Sequence, residues 1–567
     1  MRTLTGAEII WECLVQEGVE VVFGYPGGAI LRAYDALTNY QEQIHHVLVR
    51  HEQGASHMAD GYARASGKVG VAVATSGPGA TNLVTGLATA MMDSSPIVCI
   101  TGQAATPVIG KDAFQEVDVV GVTMSVTKHN YLVTDATELA DTIREAFHIA
   151  KSGRPGPVLI DVPKDVQFQV VEDWQYPTES ICLPGEQPVP EPTSVQVETA
   201  VEMINASQRP MILAGHGVLI SGAMPEMLEL SSKGNIPVST TLLGTGGVPA
   251  SHPLNLGMMG MHGQAAANHA IQEADLLIAC GMRFDDRVTG DVKQYAPHAK
   301  KIHIDIDPTE FNKNIEVDLA LHSDLAIALR NINPAIQFKG RGGWLHRLRD
   351  WQEDDNQRDA IHVSTPVMTA GQAIREIWKG TEGQALVVTD VGQHQMLEAQ
   401  YYEHEEPRTL LTSGGAGTMG FSLPASIGAW FQARKSGREV WVIVGDGSIQ
   451  MTLMEFATAV QEGANVNICI INNGYLGMVR QWQEIFYEKR YMGTPISGPD
   501  YVKLAEAYGF PGHRVHSLAE VIPAMRKAQA YNGPTLIEFV VEQHDMVYPM
   551  VSVGSALNDM VRRPYVN

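Results

Sequence analysis

The chain has 567 residues, enough for about three or four domains of ordinary size. Its 44% hydrophobic and 18% charged residues describe a globular protein with large cores, and no run of about 18 apolar residues predicts a transmembrane helix. Forty basic against sixty-three acidic residues leave a formal charge of −23, which argues against nucleic acid or an anionic membrane as partner while leaving room for a local basic site. Cys13, Cys99, Cys182, Cys280 and Cys469 include no close pair of the zinc or redox type. Cys99, Cys280 and Cys469 fall in apolar runs and are expected to be buried free thiols; an odd count suits a reducing compartment. The start, Met1-Arg-Thr-Leu-Thr5, lacks a signal-peptide profile, so the expectation is cytoplasmic.

In chain order, Thr5-Gly-Ala-Glu8 has capping-box spacing and predicts a helix to about Glu17. Val19–Phe23 reads as a short strand ending in the permissive turn Gly24-Tyr-Pro-Gly-Gly28. His46–Val49 is the next strand, with Arg50-His51-Glu52 at its end and a helical pattern to Ala65. Val69–Thr75 ends in Ser76-Gly-Pro-Gly79 before a helix from about Thr81 to Met92; Ile97–Thr101 and Val158–Asp161 complete the first unit. The polar, Pro-rich stretch Glu172 to Pro192 reads as a linker. In a second unit, strands at Met211–Ala214, Val238–Leu242, Asp275–Cys280 and Lys301–Ile306 end beside glycines or acidic residues, as in doubly wound nucleotide-binding domains. A charged helix covers Trp344 to Asp359, and a second boundary falls near Val363-Ser-Thr-Pro366. The division expected is 1–185, 190–345, 365–550 and a tail 551–567.

The third unit contains Glu439–Val444, a buried strand, then Gly445-Asp-Gly-Ser448, a helical run from Met451 to Gln461, the strand Val466–Ile471 and Asn472-Asn473. Asp446 and Asn473 thus stand at two neighbouring strand ends, offering hard oxygen ligands of the kind Mg²⁺ or Ca²⁺ takes. The amides of Gly447 and Ser448 at a helix start favour an anion, so the stretch predicts a metal-held diphosphate. Short matches between the first and third units, Gly156-Pro-Val-Leu-Ile160 with Gly533-Pro-Thr-Leu-Ile537 among them, occur in the same order. They predict two similar α/β domains flanking a different one, able to hold two ends of one ligand. Glu52 could exchange a proton with a partly buried heterocycle, or be a helix N-cap or the partner of Arg50; periodicity does not choose.

Gly445-Asp-Gly-Ser…Asn472-Asn473 resembles the thiamine diphosphate motif, and Arg50-His-Glu-Gln53 the segment carrying that family's catalytic glutamate. Gly24–Gly28, Thr75–Asn82, Asp112–Glu116, Lys128-His129, Ser152–Pro157, Asp161–Asp165, Arg283–Arg287, Asp390–Met396, Thr412–Gly415, Gly417–Gly420 and Gly477–Trp482 are all similar to acetohydroxyacid synthase (acetolactate synthase) catalytic large subunits, from about residue 4 to residue 550. The resemblance implies three doubly wound parallel-sheet α/β domains. It also implies an enzyme that decarboxylates pyruvate on thiamine diphosphate and joins the two-carbon unit to pyruvate or 2-ketobutyrate. The product is acetolactate or acetohydroxybutyrate, on the route to isoleucine, valine and leucine.

By the same resemblance Asp446, Asn473 and the Tyr475 carbonyl would ligate Mg²⁺. Val391, Gly392, Gln393, His394, Gly447 and Ser448 would line the diphosphate, and Met419 would support the bent cofactor. Glu52 would reach the cofactor from a second subunit, giving a homodimer or homotetramer. Arg283 and Trp482 would contact the second ketoacid, with Phe114, Gln115, Lys164 and Met478 lining the pocket. The middle domain would bind FAD without net redox work, through Arg154, Gly215, Gly217, Thr241, Arg283, Asp285, Arg287, Asp305, Asp324, Gln395 and Met396. No Gly-x-Gly-x-x-Gly fingerprint is present; Arg283-Phe-Asp-Asp-Arg287 carries the flavin reading. Gln481 to Gly498 is a candidate lid. The resemblance also admits a small regulatory subunit. The rivals are a pyruvate oxidase, a simple decarboxylase and a non-catalytic binding protein on the same fold.

Overall fold

The computed structural model describes residues 2–184, 186 and 188–565. The expected boundary at Gly185 lies outside them, as do Met1 and the last residues of the expected tail, Val566 and Asn567. Three six-stranded sheets, each wholly parallel, organise the chain. The first runs His45–Leu48, Val21–Gly24, Gly70–Ala74, Ile97–Gln103, Val158–Pro163, His129–Leu132. The third runs Leu410–Leu411, Leu386–Thr389, Val440–Gly445, Val466–Asn472, Thr535–Val540, Gly512–Val515. Counted in chain order within each sheet, both read 2-1-3-4-6-5, so the internal echo in the sequence is a repeat of topology. The middle sheet, Asn255–Met258, Val238–Thr240, Pro210–Ala214, Leu276–Cys280, Lys300–Asp305, Leu319–His322, reads 3-2-1-4-5-6, the dinucleotide-binding order.

The central strands are continuous apolar runs because helices cover both faces; Gly70–Ala74 and Val440–Gly445 are buried at every position. The capping box at Thr5 forms as its spacing predicts, and opens the helix Gly6–Gln16. Other boundaries differ from the sequence reading. Val170–Trp174, which reaches into the expected linker, is a strand paired antiparallel with Arg2–Thr5. The helix Gly342–Asn356 crosses residue 345. The tail begins in mid-strand: Met550–Val551 pairs with Met560–Val561, and Arg562 forms ion pairs with Asp354 and Asp355. The run after Asp446 is a single turn, Asp446–Ile449, followed by a break before the helix Phe456–Glu462.

The first and third units share one hydrophobic core, which includes Phe23, Met58 and Tyr62 from one and Phe421, Leu423 and Phe431 from the other. Its axis is the crossing of the helices Glu52–Ser66 and Ser422–Ser436. A Cβ on Gly61 would lie 2.0 Å from the Ala425 carbonyl oxygen, and one on Gly428 would lie 1.9 Å from that of Met58. Only glycine at both positions lets the backbones approach so closely. Among the described residues no helix is long and apolar enough to cross a membrane.

Candidate active site

In the third sheet the strand order reverses between Leu386–Thr389 and Val440–Gly445, and the functional residues follow those two strands. Asp390 ends the first and is fully buried. Its carboxylate accepts from the amides of Val391, Gly420 and Ser422, each at 2.9 Å, and from the Ser422 hydroxyl at 2.7 Å. One side chain thus fixes both the Val391–His394 turn and the approach of Met419. Gly392 takes φ 151° at that turn. A Cβ on Gly392 or Gly445 would sit 2.9 Å from the His394 ring, so both bare backbones make room for the imidazole. Burial keeps His394 neutral, pushing its pKa down to about 4. Its Nε2 is buried with no hydrogen-bond partner, a donor or acceptor left for a ligand.

Asp446 follows the second strand. The register Gly445↔Ile471 sets it beside Asn472-Asn473. Burial pushes its carboxyl up to about 7, against the lowering effect of the main-chain amides around it, those of Asn473 and Gly474 included. Asn473 Oδ1 accepts from the Tyr475 amide at 3.0 Å, and its Nδ2 donates to Gln393 Oε1 at 3.2 Å. A Cβ on Gly477 would meet that Gln393 oxygen at 2.2 Å, so the glycine makes room for the contact. Among the described residues no cluster of three or more His, Cys, Asp or Glu could hold a metal. A cation here would rest on one carboxylate, an amide oxygen and a carbonyl, and would need the ligand's own oxygens, which is how Mg²⁺ takes phosphates.

In the middle sheet the reversal falls between Pro210–Ala214 and Leu276–Cys280. Gly217 donates its amide to the Gly281 carbonyl at 3.0 Å, and a Cβ on Gly215 would be 2.1 Å from that same oxygen. Gly215 therefore serves this crossing and does not line the cavity beyond it; Gly217 does. Arg154 is held by Glu310 at 2.8 Å and Asp307 at 3.3 Å.

One cavity of about 2350 Å³ joins these two strand-end regions. Single ligands occupy roughly 300–1,000 Å³, so it has room for more than one. It gathers Arg154, Thr241, Arg283, Asp285, Arg287, Asp305, Asp324, Gln395 and Met396 at one end and Val391 to His394, Met419, Asp446 to Ser448, Asn473 and Tyr475 at the other. Met478 and Trp482 line it as well. Arg283 faces Asp285 at 3.5 Å, and the Arg287 guanidinium stands 6.0 Å from the Trp482 ring.

Glu52, Phe114, Gln115 and Lys164 do not line this cavity. They gather at the strand-end face of the first sheet. Glu52 is buried, and its Oε2 accepts from Asn82 Nδ2 at 2.9 Å. It is neither the helix N-cap, which is His51, nor paired with Arg50, which donates to Leu48 and Gln461. Phe114 is 90% exposed, and Gln115 holds a left-handed φ of 57° against Gly77. Lys164 is exposed and donates its amide to the Gln103 carbonyl at 3.0 Å.

The expected lid is tied at both ends. Gln481 is fully buried; its oxygen accepts from Val547 at 2.8 Å and its amide donates back to Val547 at 3.0 Å. It lies inside the helix Gly477–Phe486. At the other end Leu476 donates to Thr494 at 2.8 Å and Ile496 to Gly474 at 3.0 Å. Sequence reasoning set Asp390, Asn82 and Gln481 within motifs, and Gln481 at the start of the lid, but gave none of them the contact seen here, which depends on partners distant in the chain.

Three models of thiamine pyrophosphate enzyme domains match the chain: the N-terminal TPP binding domain over residues 4–122, the central domain over 197–332 and the C-terminal TPP binding domain over 390–539. The chain is 45% identical over 572 residues to a probable acetolactate synthase large subunit of Methanocaldococcus jannaschii, covering 99% of this chain and 95% of the relative. It is 46% identical over 574 residues to an acetolactate synthase of Mycobacterium bovis, with 99% and 92% covered. With the acetolactate synthase isozyme 2 large subunit of Escherichia coli it shares 43% identity over 567 residues, covering 99% and 100%.

Proposed function

We propose that this chain, which belongs to the thiamine diphosphate enzyme family as an acetolactate synthase large subunit, supplies two half-sites that are completed by a second copy. It is a thiamine diphosphate-dependent acetolactate synthase of branched-chain amino acid biosynthesis. The observation that carries the half-site reading is the separation of Glu52 from the cavity containing Asp446, His394 and Asn473.

When bound, thiamine diphosphate supplies the electron sink that lets a 2-ketoacid lose CO₂. The diphosphate fits the third unit: His394 Nε2 is buried and unpartnered, and the Gly447 and Ser448 main chain lines the same wall. Asp446, Asn473 and the Tyr475 carbonyl would hold Mg²⁺ between protein and diphosphate. Asp390 keeps the turn that bears His394 and the segment that bears Met419 in register. Glu52 from the second copy would exchange a proton with the cofactor's pyrimidine ring; Asn82 occupies Oε2 and leaves Oε1 for that contact. Arg283 takes the carboxylate of the acceptor ketoacid, and Trp482 bounds the space for its extra methyl. Met478 and, from the second copy, Phe114, Gln115 and Lys164 enclose the pocket and keep water from the reacting carbons.

FAD fits the middle unit, whose strand order and close glycine crossing are those of a dinucleotide site. Arg154, Gly217, Thr241, Asp285, Asp305, Asp324, Gln395 and Met396 would hold it, with Gly215 behind the wall. Because the relatives are named large subunits, a small regulatory subunit is a further proposed partner. A cytoplasmic place follows from the biosynthetic role.

The test is an anaerobic product assay with pyruvate and 2-ketobutyrate, omitting thiamine diphosphate, Mg²⁺ and FAD in turn. Acetolactate formation that fails without any one of the three supports the reading. Full activity without FAD would remove the flavin from it.

A further inference from the structure

The helix Val84–Asp93 ends on a carboxylate, the charge that a helix C-terminus disfavours. Asp93 is also buried, with a side-chain exposure of 0%. The next residue, Ser94, takes a left-handed φ of 60° without being glycine. Such local costs persist where the surroundings over-determine them, and they cluster at working sites.

The surroundings here come from all three units. Arg64 forks onto Asp60 at 2.7 and 2.9 Å, reaches Asp93 at 2.9 Å, and donates to the Thr412 carbonyl of the third unit at 2.7 Å. Burial alone would lower the Arg64 pKa, but the carboxylates of Asp60 and Asp93 raise it, so the guanidinium stays charged. Asp93 in turn accepts from the amides of Gly415 at 2.7 Å and Gly414 at 3.1 Å. A Cβ on Gly415 would sit 2.9 Å from Asp93 Oδ1, and one on Gly414 would sit 2.7 Å from Leu243 of the middle unit. Ser94 accepts from Arg154 Nε at 2.8 Å, and Arg154 is locked to Glu310 and Asp307 of the middle unit. The loop from Ser413 to Gly417 lies in the wall of the cavity and leads directly to Met419 at the thiamine diphosphate end.

We propose that Asp93 and Ser94 are positioning residues that couple the dinucleotide end of the cavity to the thiamine diphosphate end through the Ser413–Gly417 loop. A dinucleotide that engages Arg154 and the wall near Leu243 holds Ser94 and Gly414 in place. Asp93 carries that order to Gly415 and onward toward Met419. By linkage, thiamine diphosphate tightens dinucleotide binding by the same factor. The proposal rests on the reading of the far end as a flavin site.

The test uses the full-length chain stripped of cofactors. FAD is titrated by flavin fluorescence with and without thiamine diphosphate and Mg²⁺, for the wild type, Asp93→Asn and Ser94→Ala. The wild type is expected to bind FAD at least about 5-fold more tightly when thiamine diphosphate is present. In each variant that factor falls below about 2-fold, whereas a purely structural role would lower the thermal midpoint and leave the factor intact. Ser94→Ala leaves the buried ion cluster whole, so it carries the test if Asp93→Asn does not fold. A factor preserved in the folded variants, or missing from the wild type, overturns the proposal. A wild type that binds no FAD at all overturns the flavin reading and the proposal together.

Discussion

Two inactive variants should restore each other. Glu52→Gln removes the carboxyl proposed to exchange the proton and is expected to cost about 10²–10⁴ in kcat, the usual worth of a positioned acid–base group. Asp446→Asn removes the charge expected to hold the metal and should be comparably inactive. Glu52 cannot swing into its own chain's cavity. It begins the helix Glu52–Ser66, which is locked against Ser422–Ser436 by backbone contacts at Gly61 and Gly428. Moving it would break the core shared by the first and third units. If the site forms across a symmetric pair, random association of the two variants makes half the dimers mixed, and one site of each mixed dimer has both residues intact. Activity should return to about one quarter of wild type in the mixture, and to about one half in mixed dimers purified through both tags. Co-expression of differently tagged chains, followed by tandem purification and an acetolactate assay, reads this directly. Mixed dimers no more active than either parent would refute the two-chain site.

Gly428→Ala would place a methyl group 1.9 Å from the Met58 carbonyl oxygen, backbone against backbone. It should destabilise the chain by about 1–3 kcal/mol or more, seen as a lower thermal midpoint; an unchanged midpoint would contradict the close helix crossing. Trp482→Leu should lower the preference for 2-ketobutyrate over pyruvate by about 10-fold or more, within the roughly 1–3 kcal/mol that one methylene is worth. A competition assay with both ketoacids measures it, and an unchanged product ratio would remove Trp482 from the acceptor pocket. The cofactor-free chain should also lose stability as pH falls from about 6.5 to 4. Burial pushes His46, His57 and His262 down to about 4, so over that window the unfolded chain binds protons that the folded chain refuses. Asp161 and Asp446, each pushed up to about 7 by burial, work the other way, but they are two groups against five, because burial also pushes His216 and His394 down. Each histidine contributes up to about 1.4 kcal/mol per pH unit; thermal midpoints that are flat or rising toward pH 4 would show that the sign is wrong.

The buried strands were legible because being covered on both faces demands continuous apolar sequence, as in Val440–Gly445 and Ile97–Gln103. Apart from His45–Leu48, the edge strands were not. His129–Leu132 is polar and half exposed, and Asn255–Met258 contains a glycine at φ 78°, so neither carries that signal. The pair Arg2–Thr5 and Val170–Trp174 was hidden for a different reason, since each strand finds its partner far away in the chain. Asp446 and Asn473 were readable because both lie within one strand–helix–strand unit. Apart from Val391, the partners of Asp390 are 30 and 32 residues away, and those of Asp93 are 29, 321 and 322 away, beyond the reach of any local pattern. Glu52 was recognisable as a residue, but its separation from the cavity needed the fold.

The shared core of the first and third units has a consequence for synthesis. Arg64 must wait for Thr412, 348 residues later, before its last partner exists. At about 5–20 residues per second, that leaves the apolar face of Glu52–Ser66 uncovered for roughly 20–70 s on the ribosome. During that interval the nascent N-terminal unit offers other nascent chains the surface that Ser422–Ser436 will later occupy. The same glycine-lined groove that lets the two helices cross so closely in the finished molecule is therefore a surface the growing one exposes until Ser422–Ser436 is made.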